Sequence, residues 1–162
     1  MRILYKIIIA SSFILSLLSV QAASLNKQAV EQLIIKFEQA AIAQDDTALM
    51  ALFHPQAEIF IQINNTGGKL KFDVRGYQQF LRQDWSMPGD YDYQLQNVDI
   101  TLNKMNDSAD VSVTALEKTT EYGSTVMNTQ SDYRMQVAAI DDQVLITSLL
   151  SQVTMLAAPE TE

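Results

Sequence analysis

Cysteine is missing altogether from this 162-residue sequence, and histidine occurs once, as His54. Without cysteine there is no disulfide, no thiol nucleophile, no thiolate metal site and no lipidated cysteine, so packing alone must hold the fold. One histidine means that any imidazole acid, base or metal ligand must be His54. A metal site would then need a hard, oxygen-ligated ion, and Asp90/Asp92 and Asp107/Asp110 lack the calcium-loop spacing, so no metal is expected. No glycine-rich phosphate or dinucleotide fingerprint is present, and no G-x-S-x-G elbow, so no cofactor is expected either. Basic residues are also scarce, with 11 Lys and Arg against 19 Asp and Glu. Such a chain repels phosphate backbones and anionic membranes, which argues against a nucleic-acid partner.

One apolar run stands out. Arg2 and Lys6 precede Ile7–Val20, and Val20-Gln21-Ala22 places small or modest residues where a signal peptidase would cut. The run is short of the ~20 residues a membrane span needs, so residues 1–22 read as a Sec signal peptide that leaves no stable membrane anchor. Cleavage there removes both cations, leaving 140 residues with 9 basic against 19 acidic groups, a net charge of −10. The expected location is the periplasm or the medium. Residues 23–156 suit one domain with one core, and 157–162 read as a flexible acidic tail.

Within that domain Val30, Leu33, Ile34, Phe37 and Ala41 form a helical stripe, with Ser24 or Asn26 as candidate cap. Ile35 and Ile42 form a second apolar patch on another side, for a sheet edge or a partner subunit. Asp46 is the candidate cap of a short second helix bearing Leu49, Leu52 and Phe53, which Pro55 should end at His54. Ala57–Ile63 reads as a strand with Ile59, Ile61 and Ile63 opposite Glu58, Phe60 and Gln62. A Gly67-Gly68 turn, a short edge strand over Leu70–Val74 and a third helix from about Arg75, capped by Asp73, complete this half. That helix carries Tyr77, Phe80, Leu81 and Trp85 on one side.

From Tyr91 the period becomes two, giving four long strands over Asp92–Lys104, Ala109–Tyr122, Val126–Ile140 and Val144–Leu156, joined by short turns. Tyr91, Tyr93 and Leu95 occupy odd positions but Val98, Ile100 and Leu102 even ones. A face cannot switch without an extra residue, so a β-bulge is expected near Gln96-Asn97.

This order of elements resembles the NTF2-like superfamily, and within it the small SnoaL-like bacterial proteins. The residues that carry the resemblance are Phe37-Glu38-Gln39-Ala40-Ala41, Asp45-Asp46, Leu49, Leu52-Phe53, Ala57, Gly76 and Phe80-Leu81. It implies an α+β, cystatin-like cone in which three N-terminal helices pack into a curved, mostly antiparallel sheet around a pocket, often as a homodimer. The family hosts isomerases, dehydratases, hydrolases and proteins without chemistry, so fold does not choose among them. Its steroid-isomerase branch needs a Tyr on the first helix and an Asp near the first strand; the matching positions hold Phe37 and Ile61, which cannot handle protons.

The expected site is therefore an aromatic pocket for a small apolar or amphipathic molecule, lined by Phe37, Phe53, Phe60, Trp85, Tyr91, Tyr93 and Tyr133. His54 is its candidate polar group, although an imidazole at a helix end can simply cap carbonyls. No catalytic residue is assigned, and the reading leans toward a non-catalytic protein. Two alternatives stand beside it. An isomerase, dehydratase or hydrolase would need a carboxylate on the concave face, with Asp99, Asp110 and Asp132 as the ones to check. A dimeric interaction module would have a filled pocket and dock through the outer sheet face. Asp132 and Arg134 have the parity opposite to Tyr133, Met135 and Val137, so they are expected outside as a surface pair.

Overall fold

A computed structural model describes residues 25–157, so the expected signal peptide and most of the expected tail lie outside the described residues. Three helices precede or interrupt a single six-stranded sheet: α1 (Lys27–Ile42), α2 (Asp46–Met50), β1 (Phe53–Ile63), β2 (Gly68–Phe72), α3 (Val74–Asp84), β3 (Asp90–Leu102), β4 (Ser108–Glu121), β5 (Ser124–Ile140) and β6 (Gln143–Met155). The strand order is β2-β1-β6-β5-β4-β3. Every neighbouring pair is antiparallel except β1 and β6, which run parallel. No helix among the described residues is long and apolar enough to cross a membrane.

The caps explain where each helix starts. Asn26 accepts from the Ala29 N–H at 2.9 Å, and Asp73 from the Gly76 N–H at 2.7 Å. Each such bond satisfies one otherwise orphaned donor, worth about 1 kcal/mol. The second helix corrects the expectation: its cap is Asp45, accepting from Ala48 at 2.9 Å. Asp46 instead joins α2 to α3, accepting from Arg82 Nε at 2.6 Å and Gln78 at 2.7 Å. The helix also stops earlier than expected, at Met50. Pro55 lies inside β1 where the pairing with β6 skips from Phe53 to Glu58, a place where no ladder N–H is needed. The edge strand likewise stops at Phe72, because Asp73 turns to cap α3.

The four long strands fall within a few residues of their expected bounds, and the parity switch in β3 is a true bulge. Register jumps between Gln96 and Asp99, with Asn97 in the left-handed region at φ 56°. Beside it, Glu38 of α1 accepts from the Leu95 N–H at 2.8 Å, so the helix is tied to β3. Further register shifts at Thr119/Thr120 in β4 and Gln136/Val137 in β5 add twist. The curved sheet closes over the buried stripe of α1, Val30, Leu33, Ile34, Phe37, Ala40 and Ala41. Ile35 and Ile42 remain exposed on its other side.

Inward residues line up in rows across the sheet. Val111, Met135, Leu149 and Ile59 are successive register partners, as are Ala109, Val137, Ile146 and Phe53. All eight are buried. Moving along the strands, the next rows are Val113–Tyr133–Ser151–Ile61, then Ala115–Ser131–Val153, then Tyr93–Glu117–Thr129–Met155. The inner face therefore starts apolar and becomes polar, and the helix α3 lies over the polar end.

Candidate functional site

A cavity of about 190 Å³ opens at that end, between α3 and strands β1, β5 and β6. Ile61, Leu81, Phe80 and Val153 supply apolar wall; Ser131, Thr129, Ser151, Tyr77 and Tyr133 supply hydroxyls; Asp84 and Glu117 supply carboxyls. A second space of about 20 Å³ lies behind it against α1 and shares Tyr77, Leu81, Glu117 and Tyr133 as walls. A third, about 10 Å³, sits under the loop after α3, between Asp84, Trp85, Gly89 and Tyr91.

Glu117 is the centre of this arrangement. Its Oε1 accepts from Ser131 Oγ at 3.3 Å and from the Tyr133 hydroxyl at 3.4 Å, and its Oε2 accepts from the Tyr91 hydroxyl at 3.2 Å. Burial pushes the Glu117 carboxyl above its ordinary range, the nearby charge of Asp84 pushes it further, and the three hydroxyl donors pull the other way. Burial likewise raises Asp84. Tyr77, Tyr91, Tyr93 and Tyr133 are all raised, first by burial and then by neighbouring acidic groups, so they stay protonated donors over the physiological range. Among the described residues the hydroxyl of Tyr93, next to that of Tyr133, has no hydrogen-bond partner within 3.5 Å although the residue is only 6% exposed. An unmade buried hydrogen bond costs about 1–3 kcal/mol.

Five of the seven expected aromatics meet here. Phe37, 1% exposed, packs edge-on to Tyr133 at 5.9 Å; Trp85, Tyr91, Tyr93 and Tyr133 wall the spaces round Glu117. The other two do not reach it. Phe53 is packed behind, 6.4 Å from Phe37 and 6.1 Å from Tyr77, and lines none of these spaces. Phe60 is 37% exposed on the outer face, under Lys71 Nζ at 5.0 Å, because Ile59 and Ile61 take the inward parity of β1. His54 is also absent from the cavity walls; its Nδ1 accepts from the Gln56 N–H at 3.2 Å at the start of β1. Ile61 does line the main cavity, and Phe37 the small one, so the two family positions carry hydrocarbon at the site.

The carboxyls are not those singled out from the sequence. Asp99, Asp110 and Asp132 are exposed, and Asp132 accepts from Thr114 Oγ1 at 3.0 Å on the outer face, where Arg134 also lies. The carboxyls that face inward, Glu117 and Asp84, each had a signal. Glu117 follows Ala109, Val111, Val113 and Ala115 on one parity, and Asp84 continues the Tyr77, Phe80, Leu81 stripe at i+7. Each is a charge at an apolar phase. Among the described residues no group of three or more His, Cys, Asp or Glu side chains is placed to hold a metal ion.

No family model and no curated protein sequence matches the chain. Solved structures do. An NTF2-like protein of unknown function from Pseudomonas putida KT2440 superposes with a TM-score of 0.61 at 13% identity, over 77% of this chain and 84% of that one. A protein from Novosphingobium aromaticivorans described as NTF2-like with a cystatin-like fold gives 0.60 at 13% identity, over 82% and 83%. Another from the same bacterium, named as a candidate scytalone dehydratase, gives 0.61 at 16% identity, over 83% and 87%. Identities this low carry the architecture and not the chemistry. The chain has the NTF2-like, cystatin-like fold.

Proposed function

We propose that this is an exported protein of the periplasm or medium that binds a small amphipathic molecule in the cavity between α3 and the sheet. The observation that carries the reading is the cavity's two-sided chemistry: hydrocarbon from Ile61, Phe80, Leu81 and Val153 beside a hydrogen-bonding cluster centred on Glu117. A site of that kind holds an apolar body and fixes the orientation of a polar end. Native mass spectrometry of the purified protein, alone and with lipid and steroid panels, tests it. Retained or added ligand that is lost in Leu81→Trp, which fills the cavity, is the expected result. A bare protein across the panels would reduce the cavity to a packing defect. Amino-terminal sequencing of protein recovered from the periplasm, starting at Ala23, is the expected outcome for export.

A second reading has its own support. Burial raises the Glu117 carboxyl and three hydroxyls surround it, an arrangement in which a carboxyl can serve as general acid or base. An isomerase, dehydratase or hydrolase would use it to move a proton while a tyrosine hydroxyl stabilises developing charge. Turnover of any pocket ligand that disappears in Glu117→Gln while binding persists would establish this reading over simple binding.

A further inference from the structure

The charges around the cavity say what kind of polar end it accepts. Among the described residues, Glu117 and Asp84 are the only charged side chains lining the three adjoining spaces. Among the described residues no lysine or arginine lines these spaces. The nearest cation on α3, Arg82, is engaged with Asp46 at 2.6 Å and is turned to solvent. Two carboxyls thus share one sheltered site with no positive side chain among the described residues that wall it. Around them stand the rings of Tyr77, Tyr91, Tyr93, Trp85 and Tyr133, whose faces attract positive charge. The unpartnered Tyr93 hydroxyl adds an oxygen with free lone pairs, walling a space of about 20 Å³ that is enough for one water-sized group.

We infer that the pocket's ligand is an organic cation, an amine or ammonium head on an apolar body, with the head seated among Glu117, Asp84 and the tyrosine cluster. This rests on reading the cavity as a small-molecule site. The cation would supply the missing positive charge, donate N–H groups to Glu117 and the Tyr93 oxygen, and place its hydrocarbon against Phe80, Leu81 and Val153. An anionic ligand would meet like charge with no base to offset it. A neutral alcohol or carbonyl would leave the two carboxyls uncompensated.

Titration calorimetry on the purified protein separates these cases with matched probes. These are 2-phenylethylamine, 2-phenylethanol and 3-phenylpropanoate, together with n-octylamine, n-octanol and n-octanoate, so that one poorly shaped body does not decide the result. The expected order is amine at least about tenfold tighter than alcohol, with the acid weakest. In Glu117→Gln the amine's advantage over the alcohol falls about tenfold; Asp84→Asn gives a second, independent variant with the same direction. A pH series needs no variant. The groups facing Glu117 are Asp84 and Tyr77 from α3, Tyr91 and Tyr93 from β3, and Ser131 and Tyr133 from β5, with only Phe37 and Ala41 from α1. Burial raises both carboxyls, so acidification neutralises them before it affects any other of these groups, while an alkylamine stays protonated. Amine affinity should therefore fall on acidification and alcohol affinity should not. Alcohol binding as tightly as amine, or acid binding best, overturns the cation inference and leaves the pocket reading standing. No heat from any of the six probes, with native spectra also bare, overturns both.

Discussion

The two ends of the inner sheet face are built from the same strands at the same parity, yet they do opposite things. At one end Val111, Met135, Leu149 and Ile59 meet in a closed apolar row; two to six residues along the same strands, Glu117, Thr129, Ser131 and Ser151 face a cavity. The first end gains stability from close packing. The second gives it up, since it holds two carboxyls, a tyrosine hydroxyl with no partner and unfilled volume. Stability given up in one place and secured in another is the usual mark of a functional site.

The largest test of that contrast is to cut into each end. Leu149→Ala should destabilise the protein by about 2–5 kcal/mol, because the side chain is fully buried among neighbours that cannot collapse onto the gap. Ser131→Ala at the polar end removes one hydroxyl from Glu117 beside existing space, and should cost about 1 kcal/mol or less. Urea unfolding of the two variants measures both. Equal losses would show that the polar end is ordinary core.

A smaller effect comes from the loop that closes the polar end. Gly89 has φ +131°, and a Cβ there would lie 2.7 Å from the Thr120 carbonyl oxygen and 2.8 Å from Thr119 Cγ2. Backbone cannot step aside as a flexible side chain can, so Gly89→Ala should cost about 1–3 kcal/mol. It should also move Trp85 and Tyr91, which share the small space beneath the loop, and so shift the Trp85 emission. An unchanged spectrum and unfolding midpoint would mean that the loop does not help shape the site.

How much of this was legible in the sequence follows the same division. The apolar end was readable because periodicity reports burial directly: the α1 stripe, the Ile59/Ile61 alternation and the parity switch that became the Asn97 bulge were all visible. Element ends were read less well, since Pro55 and Asp46 have two uses each and only tertiary context chooses between them. The site was half legible. Five of the aromatics named from the sequence lie together round Glu117, whereas Phe60 has the outward parity of β1. Glu117 and Asp84 are harder to read, because a charge inside an apolar phase looks like an interruption of a pattern. In physical terms it is the more informative event, because burying a carboxyl is costly unless something uses it.

Acid sharpens the comparison through two carboxylates shifted in opposite senses. Asp46, held by Arg82 at the junction of α2 and α3, is lowered from 3.8 to about 2. A lowered folded-state pKa contributes stability that is present above 3.8 and is lost as pH falls through about 2. Glu117 is raised, first by burial, so its contribution is full below its unfolded value and is lost as pH rises through its folded one. Asp46→Asn should therefore lower the melting temperature at neutral pH, with the deficit closing at low pH. Glu117→Gln should raise it at neutral pH, and that gain should vanish on acidification. The same sign for both variants would mean that Glu117 is held as an ordinary paired carboxylate.

The smallest effect is expected on the convex side. Phe60 lies across β1 from the inward Ile59 and Ile61, with Lys71 Nζ 5.0 Å from its ring centroid. Lys71 in turn pairs with Glu58 at 2.6 Å, and both side chains are 58% exposed. Exposed cation–π contacts contribute about 0.5–1 kcal/mol and exposed ion pairs often less. Phe60→Leu keeps an apolar strand residue and gives up only the ring face, so it should change stability by less than about 1 kcal/mol. Calorimetry with the amine and alcohol probes should give wild-type affinities, because the β1 backbone that carries Ile61 into the cavity is untouched. If Phe60→Leu instead weakened binding as Glu117→Gln is expected to, the ligand would have to reach the outer face of the sheet. The division between an inner binding face and an outer solvated one would then be wrong at its root.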